Sequence, residues 1–124
     1  LEHLPNPSTV LAAVTRVLRP GGVFFADTVN ALSYTAERLG TGWKLIEPRG
    51  HWCIYPPETL RAHMEKAGLR TVRIRTHGVR LRPNGSPPLR GLARFGEELR
   101  KLPWSALSRF TLKGDSIDVL AEKP

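Results

Sequence analysis

His51 lies between Gly50 and Trp52 and is the residue whose type best suits proton movement near neutral pH. It could act as a general base or orient a hydroxyl; packing as a loop histidine against an aromatic ring is the plainer alternative. Trp43, Trp52 and Tyr55 stand around it in a stretch that also holds Pro48, Pro56 and Pro57. Large side chains in a long loop usually cover something. These three could wall an apolar or aromatic small molecule, or pack as ordinary core. Asp27 and Asn30 follow the apolar run Val23-Phe24-Phe25-Ala26. Open α/β sheets bind ligands beyond the carboxyl ends of their strands, although the same residue types also make turns. Glu2 and His3 place a carboxylate beside an imidazole at the opening of the chain, either bordering the next helix or lining a pocket. Cys53 reads as a small buried hydrophobe, and His63 and His77 as surface residues.

The surrounding pattern says what must position these groups. Asn6 can cap a helix whose first turn tolerates Pro7. Val10, Leu11, Val14, Val17 and Leu18 then recur at helical spacing, and Pro20-Gly21-Gly22 stops the helix. Val23–Ala26 has the continuous apolar character of a strand buried on both faces. A helix, a glycine turn and such a strand make the second half of a βαβ unit. Residues 33–39 suit a short helix broken by Gly40 and Gly42. A second long helix is expected from Pro57 to Ala67, with Leu60, Met64 and Ala67 on one face and Gly68 as its stop. Residues 69–76 alternate apolar and basic, as a strand with one solvated face does. Leu89, Leu92, Phe95, Leu99 and Leu102 mark an amphipathic helix that Pro103 is expected to end. Residues 115–122 alternate again and read as a last strand.

The 124 residues suit one small domain, and 40% hydrophobic with 24% charged is a globular mixture. No apolar run approaches the roughly 20 residues of a membrane-spanning helix. A single cysteine excludes an internal disulfide, and no Cys/His cluster has zinc spacing. A cytoplasmic location is the expectation. The opening Leu1-Glu2-His3-Leu4-Pro5 reads as the continuation of something begun upstream. Nineteen Lys and Arg against eleven Asp and Glu give a net charge of +8. Between Arg80 and Lys113 eight basic residues face only Glu97 and Glu98, so this segment carries +6 of it. Such a patch can attract phosphates, anionic surfaces or an acidic partner. One reading is therefore a basic α/β module for nucleic acid or anionic surfaces; a solvated insertion is the other.

The order helix, buried strand, covering loop, helix, strand, insertion, strand resembles the C-terminal half of a class I S-adenosylmethionine-dependent methyltransferase. The resemblance rests on Leu1-Glu2-His3-Leu4-Pro5-Asn6-Pro7 and Arg16-Val17-Leu18-Arg19-Pro20-Gly21-Gly22. Thr28-Val29-Asn30, Gly50-His51-Trp52, the Glu58–Leu69 helix and the closing Ala121-Glu122-Lys123-Pro124 follow in the expected order. Within that superfamily it is most similar to the ubiquinone-biosynthesis type of O-methyltransferase. It implies an α/β, truncated Rossmann-like fold holding only the later strands and helices of the sheet. Residues 1–79 are then the C-terminal part of the core, 80–114 a basic insertion, and 115–124 the final strand.

The resemblance further implies S-adenosylmethionine as donor, bordered by Leu1, Glu2 and His3. Glu2 and His3, with an earlier glutamate, could hold a divalent cation near a small-molecule acceptor. His51 becomes the candidate catalytic residue, and Asp27, Asn30, Trp43, Trp52 and Tyr55 the acceptor-binding ones. The superfamily's glycine-rich donor loop and its ribose-binding acidic residue have no counterpart here. The missing N-terminal half of the fold is thus an expected partner. The chain alone is expected to be inactive and, with an uncovered strand edge, prone to association.

Overall fold

The computed structural model describes residues 1–46 and 49–124; Pro48 lies outside them. Helix α1 (Pro7–Val17) starts as its sequence dictates: the Asn6 side chain accepts the Thr9 N–H at 3.2 Å. At its end Gly21 adopts φ +73°, a conformation that costs a side chain dearly. The turn is fastened to the far end of the sheet. Gly21 N–H donates to the Lys123 carbonyl at 2.8 Å, and Lys123 N–H to that of Gly22 at 2.9 Å.

Strand β1 (Val23–Val29) follows, then the short helix α2 (Tyr34–Leu39), capped by the Ser33 hydroxyl, and a 3₁₀ turn at Gly40–Gly42. Helix α3 (Pro57–Lys66) leads into β2 (Arg70–His77), α4 (Gly91–Thr111) and β3 (Ser116–Glu122). The sheet order is β1-β3-β2, with β3 antiparallel to both neighbours. Returning the last strand between the two earlier ones places β1 at one edge.

Leu11 of α1 and Leu60 and Met64 of α3 pack with Leu69, Ile117, Val119 and Ala121 on one face of the sheet, joined by Phe24, Ala26 and Ile74. The opposite face is bare. Val23 and Phe25 are each 62% exposed, so the expectation of a strand buried on both faces fails. The residues are apolar enough for two-sided burial, but among the described residues no helix packs on that side.

Two more expectations are corrected. A bulge between Thr71 and Arg73 breaks the alternation of β2 and leaves Val72 exposed. Helix α4 runs through Pro103 to Thr111 instead of ending there. Proline removes one helical hydrogen bond, that to the Leu99 carbonyl, and this falls on an exposed part of the helix where water can replace it. The turns beyond Pro103 are held from outside. The Thr76 hydroxyl donates to the Ser108 carbonyl at 2.8 Å, and Trp104 meets Tyr34 edge to face at 5.2 Å between centroids.

The entry into β3 is a tight knot. Fully buried Asn30 donates from Nδ2 to the carbonyls of Leu112 (2.9 Å) and Gly114 (2.7 Å), and its Oδ1 accepts the Leu32 N–H at 3.0 Å. A Cβ on Gly114 would lie 2.4 Å from the backbone nitrogen of His77, so only glycine fits there. Next to it Asp115 is buried, with Oδ1 unpartnered. Burial pushes its carboxyl up, against the opposing pull of the Thr35 hydroxyl and Arg80. A carboxyl raised on folding lends stability that is full below its unfolded value, near 3.8, and fades as pH rises through the folded one. Asp115→Asn is therefore expected to gain stability relative to the parent as pH climbs from about 4. Urea unfolding at acid and neutral pH measures this; a constant difference between the two proteins contradicts it.

Candidate functional site

The turn at Leu1–Leu4 lies against the end of β1, and residues 50–53 fold onto it. The Glu2 carbonyl accepts the N–H groups of Trp52 (2.7 Å) and Cys53 (3.3 Å). This lacing brings His51 beside Glu2 and His3, a pair at the other end of a long stretch of sequence. The ligand atoms of all three lie within 4.8 Å of one another.

The hydrogen bonds at the back of each imidazole fix what it presents at the front. His3 Nδ1 lies 2.8 Å from the Gly50 carbonyl and His51 Nδ1 2.7 Å from that of Leu45. A carbonyl only accepts, so each Nδ1 carries the proton and each neutral ring offers a bare Nε2 lone pair. The two rings meet edge to face with centroids 4.7 Å apart. Glu2 Oε1 lies 3.7 Å from His3 Nε2. Its other oxygen accepts from the Thr28 hydroxyl at 2.8 Å and from the α-amino group of Leu1 at 2.9 Å. Burial works against the charged form of Glu2. Hydrogen bonds from that amine, from its own backbone and from Thr28 outweigh it and hold the carboxyl below its usual range. The cluster is thus an ionised carboxylate with two oriented nitrogen lone pairs. It can accept a proton or ligate a cation.

The other residues singled out from sequence are not all here. Trp52 is, through its backbone, and its ring is exposed. Trp43 is buried, facing a cavity shared with Thr41, Lys44, Ile46, Arg49, Asn84 and Gly85. Tyr55 sits in the main core against His63, where burial pushes its hydroxyl up to about 12. Asn30 spends its side chain on the β3 knot. Asp27 points to the bare face of the sheet, where His77 Nε2 lies 3.7 Å from it and 3.5 Å from Asp118. Burial and the Asp118 carboxylate push Asp27 up, against the pull of His77. Thr28 and Gly50 contribute to the cluster although the sequence marked them only as parts of the family resemblance, and Leu45 contributes without any such signal; Gly50 and Leu45 act only through carbonyl oxygens.

Residues 1–74 match the family described as "Methyltransferase domain". A ubiquinone biosynthesis O-methyltransferase of Thiobacillus denitrificans is 38% identical over 77 residues, 57% of this chain and 33% of that protein. One of Dechloromonas aromatica is 53% identical over 53 residues, 40% of this chain and 23% of that protein. The chain thus spans a third or less of the length of these relatives. A crystal structure of a SAM-dependent methyltransferase from Archaeoglobus fulgidus superposes with a TM-score of 0.58 at 21% identity. That superposition covers 98% of this chain and 55% of that one, and so supports the truncated Rossmann-like α/β fold.

Proposed function

The chain belongs to the methyltransferase domain family, and from that premise we propose that it forms the acceptor side of an S-adenosylmethionine-dependent methyltransferase acting on a hydroxyl of a small molecule. The convergence of Glu2, His3 and His51 carries this reading. The O-methyltransferase names of its relatives support oxygen as the methylated atom. In this reading residues 1–79 and 115–124 are one part of the core and 80–114 an insertion. The exposed edge and bare face of β1 receive the remaining strands, supplied by sequence outside these 124 residues.

The residues present do not build a donor site. Gly21-Gly22 is closed by Lys123, and among the described residues no short glycine-rich turn leads from a strand into a helix. Beyond the border formed by Leu1, Glu2 and His3, donor binding is accordingly assigned to the other strands. The isolated chain is expected to show no micromolar affinity for S-adenosylmethionine in calorimetry; such affinity contradicts the division.

The acceptor chemistry belongs to this chain. The hydroxyl proton passes to His51 Nε2 while Nδ1–H stays on the Leu45 carbonyl, and the deprotonated oxygen becomes the nucleophile. Glu2, hydrogen-bonded by the Thr28 hydroxyl, stabilises as a carboxylate the imidazolium that forms. The His3 ring fixes the plane of His51, and Trp52 offers an apolar wall.

The same three side chains fit a divalent cation: two Nε2 lone pairs and a carboxylate oxygen are oriented by bonds behind them. A cation held there would polarise an acceptor oxygen. Calorimetric titration with Mn²⁺ or Zn²⁺ separates the two readings. Cation binding weakened at least about tenfold by His3→Ala, in line with loss of a ligand, favours the metal. No binding leaves His51 as base alone.

A further inference from the structure

Helix α4 is amphipathic in the reverse sense for a helix on a protein surface. Projected at 3.6 residues per turn, Leu92, Phe95, Leu99, Leu102, Leu107 and Phe110 fall within an arc of about 140°, with Trp104 about 60° outside it. That arc faces outward: Leu92 is 88% exposed and Phe110 87%, and the other four range from 45% to 62%. The helix is held to the protein by its polar side. Glu97 meets Arg82 at 3.7 Å, the Ser108 carbonyl accepts from Thr76, and Trp104 leans on Tyr34. The apolar stripe is therefore not the seam that fastens α4 to its own sheet. Exposure of so large a contiguous apolar surface marks a site of association.

Charge decides what associates. Among the described residues Lys101 is paired with Glu97 and Glu98, and Lys113 with Glu37. Among the described residues no carboxylate is paired with Arg90, Arg94, Arg100 or Arg109. On the helical projection Arg100 borders the stripe on one side and Arg109 on the other, whereas Arg94 falls about 150° from its centre, on the side of Glu97 and Ser108, and Arg90 precedes the helix. A second copy of α4 laid on the stripe would bring the flanking arginines against their own kind. A surface of negative charge over an apolar interior satisfies stripe and arginines together, and arginine stems can reach outward while their stripe neighbours sink. The helix is about 31 Å long, enough to lie flat over several headgroups. No helix among the described residues is long and apolar enough to cross a membrane.

We propose that α4 docks flat on an anionic lipid bilayer, with Leu92, Phe95, Leu99, Leu102, Leu107 and Phe110 in the acyl boundary and the flanking Arg100 and Arg109 among the headgroups. This stands apart from the methyl-transfer reading, since none of these residues belongs to the Glu2–His3–His51 cluster.

Flotation of the full 124-residue chain with vesicles tests it, because aggregated protein sinks while bound protein rises. The expected result is binding to phosphatidylcholine–phosphatidylserine vesicles at least about tenfold stronger than to phosphatidylcholine alone, weakening as salt is added. Neutralising both flanking arginines (R100Q and R109Q together) should weaken it by about thirtyfold. The combination L92S, F95S and L99S should abolish it with the arginines intact. These side chains are exposed, so urea unfolding of both variants should match the parent. Equal flotation with both lipids, full binding by the serine variant, or no flotation at all overturns the proposal. So does a dimer in sedimentation that Phe95→Ser disperses while vesicles stay empty, which assigns the stripe to a second copy.

Discussion

Asn30→Asp is expected to destabilise the chain by about 3 kcal/mol or more at neutral pH, a large share of what a domain of this size has. Asn30 is fully buried and its Nδ2 hydrogens are spent on the carbonyls of Leu112 and Gly114. The aspartate keeps the acceptor for Leu32 but loses both donors and sets a carboxylate against two carbonyl oxygens. Each buried acceptor left unpaired costs on the order of 1–3 kcal/mol. Repulsion in a site without water adds to it, and the new carboxyl avoids charge by holding its proton. That gives the prediction a signature. A carboxyl raised in the folded state stabilises it below the unfolded value and stops doing so as pH rises past the folded one. The deficit of Asn30→Asp against the parent should therefore shrink as pH falls towards 4, even while acid weakens both proteins. Chemical denaturation across pH 4–8 reads it directly; a deficit below about 1 kcal/mol at pH 7, less than one buried hydrogen bond is worth, would show the knot to be dispensable.

The same residue shows where sequence reading stops. Asn30 was legible as a residue closing a strand, and both a ligand contact and a turn role were open to it. Its actual partners are 82 and 84 positions away, and nothing in its neighbourhood announces them. Local signals performed well where the physics is local. Asn6 with Pro7 set the start of α1 and Gly68 the end of α3, and the short helix expected over 33–39 is α2, with Ser33 as its cap instead of its first residue. Signals failed where an outcome depends on what lies opposite. Val23 and Phe25 have the character of buried residues, but burial needs a covering layer that these described residues do not provide. Pro103 carries a local penalty, and contacts to Tyr34 and Thr76 outweigh it. The stripe on α4 was visible as a period, while the direction it faces was not.

The candidate site divides in the same way. Glu2 and His3 stood out only through resemblance, and His51 through its own chemistry; nothing in the chain's order said that they meet. What joins them is backbone: the Glu2 carbonyl held by Trp52 and Cys53, and two imidazoles aimed by the carbonyls of Gly50 and Leu45. Such partners are invisible to a reading by side-chain type, because every residue has a carbonyl. The aromatic residues illustrate the converse. Trp43, Trp52 and Tyr55 are neighbours in sequence with one apparent purpose, and the fold sends them to a side cavity, the surface and the core.

His51→Gln should carry the largest effect on activity, measured in a protein that joins these residues to the strands that bind the donor. Glutamine keeps a polar side chain near the Leu45 carbonyl but cannot take up a proton at neutral pH. Removing a general base costs about 10²–10⁴ in rate. Because the acceptor can still bind, the loss should fall on kcat and kcat/KM together, with KM nearly unchanged. His3→Gln provides the control that gives this meaning. If His3 only packs against His51, its loss costs about tenfold or less, as expected of a supporting neighbour. If the two histidines and Glu2 hold a cation, both variants fall together and added cation restores part of the activity of each. A His51→Gln protein that keeps the parent's rate would remove His51 from the chemistry and leave the cluster a structural clasp between the opening turn and the aromatic loop.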